Sequence, residues 1–152
     1  MADERPLRRV YRPLGARVVS AVSAGVLVGL GAFLWLMLPG HVRAQFDWFQ
    51  RGTLIAFFVL VLVVLYGIFR TRADATDRGL SVTNGYRRYR FAWPQIVSIT
   101  MTRHRPWAMV DLTDGSTRAM MALQASDGPR AVRAAREIAE LISTRTKTER
   151  DD

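Results

Sequence analysis

The 152-residue sequence contains no cysteine, which removes disulfides, thiolate metal sites and thiol nucleophiles from consideration. It contains one lysine, Lys147, so the formal net charge of +9 is carried by arginine. There are two histidines, His41 and His104, too far apart in sequence and setting to form a common site. Phosphate-binding glycine loops, serine elbows and metal-ligand spacings are missing as well. These absences leave no catalytic residue, no cofactor site and no metal site to nominate, and the expectation is a protein that is not an enzyme. They do not explain the charge, because strong basicity serves nucleic acid, an anionic membrane surface or the flanks of membrane spans. Here Arg5, Arg8, Arg9, Arg12 and Arg17 precede one long apolar run, and Arg70, Arg72 and Arg78 follow another. The charge is thus poor evidence for nucleic acid, and no nucleic-acid partner is expected.

Val18 to Leu38 is 21 residues without a charge, VVSAVSAGVLVGLGAFLWLML. As a helix it measures about 30 Å, the thickness of a bilayer core. Gly52 to Phe69, GTLIAFFVLVLVVLYGIF, gives about 27 Å. Neither run has a polar face, and the rest of the chain is too small to bury two such helices. Trp35, Trp48 and Tyr66 stand near the run ends, where aromatic belts form. A rival reading makes the first run a signal peptide cleaved after Ala44, although it is long for that purpose. The loop from Pro39 to Arg51 carries only Arg43 and Arg51 against Asp47, so the positive-inside rule places both termini in the cytoplasm and the loop outside. The expected layout is a basic N-terminus (1–17), two spans (18–38 and 52–69) joined by an extracytoplasmic loop (39–51), a linker (70–78), a soluble domain (79–145) and a frayed tail (146–152). The protein is expected in the cell membrane as a multi-pass protein. Ala21, Gly25 and Gly29 form a small-residue stripe for helix–helix packing, against the second span or in a homodimer.

After residue 78 the hydrophobic period changes to two. Leu80 and Val82 alternate with polar residues, Asn84-Gly85 supplies turn residues, and Tyr86 to Phe91 returns. A two-residue loop at 84–85 predicts Thr83 opposite Tyr86, Val82 opposite Arg87 and Leu80 opposite Tyr89. One face then holds Leu80, Val82, Tyr89 and Phe91, with Arg88 and Arg90 on the other. Trp93-Pro94 breaks the strand, with Trp93 at the core or its edge. Further strands are expected from Ile96 to Arg103 (Val97, Ile99 and Met101 inward), Ala108 to Leu112 and Thr117 to Ala122, the last two joined by Asp114-Gly115. Asp127 and Pro129 mark a helix start. Ala131, Ala135, Ile138 and Ile142, with Val132 and Leu141, form its apolar stripe to about Ser143. The predicted fold class is α+β: a transmembrane helical hairpin, then an antiparallel meander of about five strands with a C-terminal helix.

The segments Arg78-Gly79-Leu80-Ser81-Val82-Thr83-Asn84-Gly85, Trp93-Pro94-Gln95-Ile96, Pro106-Trp107, Leu112-Thr113-Asp114-Gly115, Ala122-Leu123-Gln124 and Asp127-Gly128 resemble, in order and spacing, the bacterial PH-domain family typified by actinobacterial low molecular weight protein antigen 6. The resemblance covers roughly residues 71 to 145. It implies a pleckstrin-homology-like sheet closed by the C-terminal helix, with fewer strands than the seven of a full barrel. It implies no defined activity.

Arg87, Arg88 and Arg90, interleaved with Tyr86 and Tyr89, are the candidate contact residues for a lipid or partner. Basic residues in the first hairpin of eukaryotic PH domains make Arg88-x-Arg90 similar to a headgroup-binding pattern; a charged strand face that resists aggregation accounts for them equally. The leading expectation is a membrane-anchored interaction module presenting a cytoplasmic domain to an envelope-associated protein partner. Sensing of anionic lipid is the alternative, and an accessory subunit of an envelope enzyme or transporter is the distant one. Transport would require polar groups inside the spans, and only serines, a threonine and a tyrosine are there.

Overall fold

The computed structural model describes residues 6–102 and 104–148. The chain divides into two compact units, one of residues Ala16–Phe69 and one formed by the segments before and after it, Met1–Gly15 and Arg70–Asp152.

The first unit is helical. α1 (Leu14–Met37), a short α2 (Gly40–Gln45) and α3 (Trp48–Phe69) follow in order, both long helices starting before the apolar runs do. Only 6% of the most apolar stretch of each long helix is buried within the chain, so neither is a core helix of this chain. Their length and composition suffice to cross a membrane. The connection is tightly organised. Asp47 and Gln50 form a capping box at the start of α3: Gln50 N donates to Asp47 Oδ1 at 2.7 Å and Asp47 N to Gln50 Oε1 at 3.2 Å. Arg51 donates to the carbonyls of Phe46 and Arg43 and lies over the rings of Trp35 and Trp48. The expected small-residue contact between spans falls elsewhere. Gly31 is where the Phe58 ring fits, since a Cβ there would lie 2.5 Å from it, whereas nothing lies within 4 Å of a Cβ at Gly25 or Gly29. Ala21 is exposed too, so the stripe of Ala21, Gly25 and Gly29 faces away from α3.

The second unit contains seven strands in two sheets, against the five expected. β1 (Arg8–Tyr11), β2 (Arg72–Thr76), β3 (Gly79–Asn84) and β4 (Arg87–Phe91) form one antiparallel sheet in chain order. β5 (Ile96–Thr100), β6 (Trp107–Leu112) and β7 (Thr117–Gln124) form the other. The two additional strands lie in segments read as basic N-terminus and linker. β1 pairs with β2 from Arg8 opposite Thr76 to Tyr11 opposite Ala73, and Ala73 and Ala75 are fully buried. Alanine and arginine in these stretches hide the strand pattern, because the buried residues are small and the exposed ones look like membrane flanks.

The β3–β4 register is displaced from the expected one. Asn84 pairs with Arg87, Val82 with Tyr89 and Leu80 with Phe91. The displacement is by two, so each side chain keeps its predicted face. Its cause is Asn84, which belongs to the strand and not to the turn. Gly85 alone takes positive φ there, as a type II′ turn requires at its first central residue. The Asn84 carboxamide donates to Ala119 O at 2.6 Å and accepts from Met121 N at 3.1 Å, so it pairs with β7 as a peptide group would and ties the two sheets together. Gly79, at φ 143°, lies beneath the end of β4: a Cβ would meet Phe91 O at 2.1 Å.

A 3-10 turn at Trp93–Gln95 then carries the chain to the second sheet, so β4 and β5 are not the hairpin the meander required. Trp93 is buried as expected, 4% exposed, and its indole N–H donates to Thr76 O at 3.0 Å. Val97, expected inward, is 59% exposed. A bulge between Ile96 and Ser98 absorbs it, which turns both Ile96 and Ile99 toward the core. The expected strand also reached Arg103, which lies outside the described residues.

α4 (Pro129–Thr148) closes the core with Ala131, Ala135, Ile138 and Ile142, while Val132 points outward. It runs past Ser143 into the tail expected to fray; residues 149–152 lie outside the described residues. Thr144 Oγ1 donates to Glu140 O, and Arg145 donates to Asp77 Oδ1 at 2.7 Å, so the turn just before that tail is held. Asp127 does not cap α4. Its carboxylate accepts the N–H groups of Leu14 and Gly15, the first residues of α1, at 3.0 and 2.9 Å.

The stability of this unit can be measured in a soluble variant where a Gly-Ser linker replaces residues 16–69, which keeps β1. Asn84→Ala should lower its stability by about 1–3 kcal/mol through the backbone groups left without partners. Trp93→Ala should cost about 3–5 kcal/mol. An unchanged denaturation midpoint for Asn84→Ala would mean that the two sheets hold together without this strut.

Candidate arginine-ringed binding face

The four-stranded sheet has one inner and one outer face. Burial of Ala73, Ala75, Leu80 and Val82 turns Arg72, Asp74, Thr76 and Ser81 outward, together with Arg88 and Arg90 of β4 and Arg8 of β1. The register lays these out in rows. Arg72, Thr83 and Arg88 lie side by side across β2, β3 and β4; Val10, Asp74, Ser81 and Arg90 form the next row; Arg8 stands opposite Thr76 in the third. Arg78 adds a fifth arginine from the β2–β3 turn. With strands about 4.8 Å apart, the four-strand face is about 14 Å across.

Together these side chains line an open depression of about 470 Å³. Its lining combines five arginines, the hydroxyls of Ser81 and Thr76 and the single carboxylate of Asp74 with the apolar Leu80, Phe91 and Ala92. Arg72 Nε lies 3.1 Å from Asp74 Oδ2, and Arg88 Nε donates to Ser81 Oγ at 3.0 Å, which orients both guanidinium groups. Among the described residues, Arg8, Arg78 and Arg90 have no hydrogen-bonded or ion-paired partner. Guanidinium groups held side by side suit the planar, two-oxygen geometry of carboxylates and phosphates.

Two of the three arginines singled out in the sequence, Arg88 and Arg90, therefore lie on this face. Arg87 does not. It alternates with them, pairs with Asn84 at the hairpin end and stands on the side of Tyr89 and Phe91. Arg8, Arg72 and Arg78 were missed because each was accounted for as a charge flanking a span. The signal that would have found them is the β pairing of residues 8–11 with 72–76.

β1 brings Arg8 into the face and is itself held mainly by polar contacts. Leu7 N donates to Asp77 Oδ2 at 2.9 Å, Tyr11 Oη to Glu137 Oε2 at 3.1 Å, and Arg9 to the same oxygen at 3.4 Å. Burial, followed by the bond and charge of Glu137, pushes the Tyr11 phenol above its ordinary pKa, so it remains a donor at neutral pH. Asp111, an isolated strand acid in the sequence, accepts from Ser98 Oγ and Thr117 Oγ1 and so forms a polar ladder across β5, β6 and β7.

Residues 70–140 match the family described as the bacterial PH domain. Uncharacterized proteins of Mycobacterium bovis and Mycobacterium tuberculosis are 29% identical to this chain over 140 residues, which is 90% of this chain and 87% of each relative. No solved structure gives a significant match. The matched residues run from just before β2 through Glu140 of α4, so β2 to β7 and most of the closing helix are similar to the bacterial PH domain.

Proposed function

We propose that this protein is a non-enzymatic, membrane-anchored interaction module that holds its PH domain on the cytoplasmic side and presents the arginine-ringed face to an envelope-associated protein. The observation that carries this reading is the pairing of β1 with β2. β1 precedes the first apolar helix and β2 follows the second, so both ends of the helical hairpin feed one sheet. That requires an even number of crossings, with both ends on one side of the membrane.

The arginine distribution selects the side. Arg8, Arg9, Arg12 and Arg17 precede the first helix and Arg70, Arg72 and Arg78 follow the second, while Arg51 in the connection is engaged by two carbonyls. The positive-inside rule assigns the domain to the cytoplasm. The same pairing argues against a signal peptide, because cleavage after Ala44 would remove the strand that completes the sheet. Ligand recognition, not chemistry, suits a face built of arginines and hydroxyls with a single acid already paired to Arg72.

The absence of native cysteine makes the topology directly measurable. In intact cells a cysteine at Gln45 should react with a membrane-impermeant thiol reagent, and one at Ser126 only after permeabilisation. A photoreactive side chain at Arg90 should capture a membrane-associated protein that the same group at Arg136, exposed on α4, does not capture. Labelling of Ser126 in intact cells would overturn the topology, and equal capture from both positions would remove the sheet face as the presenting surface.

A further inference from the structure

We infer that the outer face of the β1–β4 sheet is a docking site for an acidic protein segment, an extended run of aspartate and glutamate side chains that crosses the strands. This deepens the reading above, on which it rests, by naming the chemistry of the partner. It follows from the number, spacing and surroundings of the arginines.

Five arginines on one face against one carboxylate leave an excess of positive charge that the fold itself does not neutralise. The arginines come from β1, β2 and β4 and from the β2–β3 turn, and β3 between them contributes Ser81. A single small anion would engage two or three of them. An extended peptide, with side chains about 3.3 Å apart along its length, presents carboxylates to the whole width of about 14 Å. All five cations are arginine, whose fork accepts a carboxylate through two parallel hydrogen bonds.

The surroundings favour a water-soluble segment over a bilayer. A face that inserts into a bilayer uses apolar side chains, while one that only touches anionic headgroups relies on charge alone. In this unit the large exposed apolar residues are Val10, Leu14, Tyr86, Val97 and Val132; of these only Val10, opposite Asp74, shares the arginine face, and Phe91 and Ala92 at the end of β4 add limited apolar surface to the depression. Lipid affinity would also be redundant in a chain with two apolar helices of spanning length.

The site is discontinuous in sequence. Arg8 stands before the first helix, and the other four arginines follow the second. A partner reading this face therefore reads both ends of the hairpin at once, and the site is complete only while β1 is paired. The bonds that hold β1, Leu7 to Asp77 and Arg9 and Tyr11 to Glu137, become determinants of binding without touching the ligand.

The test uses the full-length protein in nanodiscs of phosphatidylcholine and a fluorescent hexaglutamate peptide followed by anisotropy. The peptide should bind at low salt, and binding should weaken steeply as salt rises. Arg8→Gln and Arg90→Gln, each removing a charge-assisted bond, should each weaken it about tenfold, while Arg136→Gln should leave it unchanged. Glu137→Gln should weaken it despite the gain in net positive charge, a sign that a pure charge effect would not give. Equal losses for Arg136→Gln and Arg90→Gln, or no binding at low salt, would overturn the inference. So would preferential displacement of the peptide by anionic vesicles or inorganic phosphate over unlabelled hexaglutamate. Failure here with the topology and the Arg90 capture intact would reject the acidic segment and leave the anchored interaction module standing.

Discussion

The pairing of β1 with β2 is the constraint from which the other features descend. Four residues before the first apolar helix lie antiparallel to five residues after the second. A helical hairpin of 54 residues, Ala16–Phe69, is thus an insertion between adjacent strands of one sheet. The antiparallel arrangement demands that the chain leave and return at the same end of the sheet, which a two-helix excursion satisfies and a single span would not. Pairing hides the otherwise bare edge of β2. It also buries Ala73 and Ala75, whose small size lets the two sheets approach closely.

A domain with so many alanines in its core gains little from each buried side chain, and it compensates with directional contacts. Asn84 replaces a stretch of sheet hydrogen bonding between β3 and β7, while Trp93 supplies the one large aromatic body of the buried core and ties it through its N–H to Thr76. Gly79 is required between them because β4 turns away directly above it. These three residues define the corner at which one sheet gives way to the other. Each acts through geometry that a residue of similar hydrophobicity would not reproduce.

The arginines serve two physical purposes that composition cannot separate. In general, charges beside an apolar helix bias its insertion and charges on a strand face attract anions; Arg72 and Arg8 lie both near the apolar helices and on the strand face. The basic flanks thus double as part of a cationic surface because β1 ends, and β2 begins, within three residues of the helices. The charge that flanks the apolar helices also lines the candidate site.

The sequence alone determined the features that depend on local pattern. Two uncharged runs of bilayer length, a period-two stretch around Asn84-Gly85, a tryptophan before a strand-breaking proline and an amphipathic helix after Pro129 each followed from neighbours in the chain. The resemblance in order and spacing named the family whose model residues 70–140 match. Tertiary structure decided whatever depends on residues far apart. The register around Asn84 was set by β7, thirty-five residues away, and the phase of β5 by a bulge that no alternation rule contains. Asp127 caps the helix that begins at Leu14 and not the one beside it. β1 was illegible because a strand of arginines, one valine and one tyrosine has no apolar face of its own, and its partner β2 buries only alanines. Such strands are specified by pairing and not by pattern, so three of the five arginines that ring the binding face became visible only when the two ends of the hairpin were brought side by side.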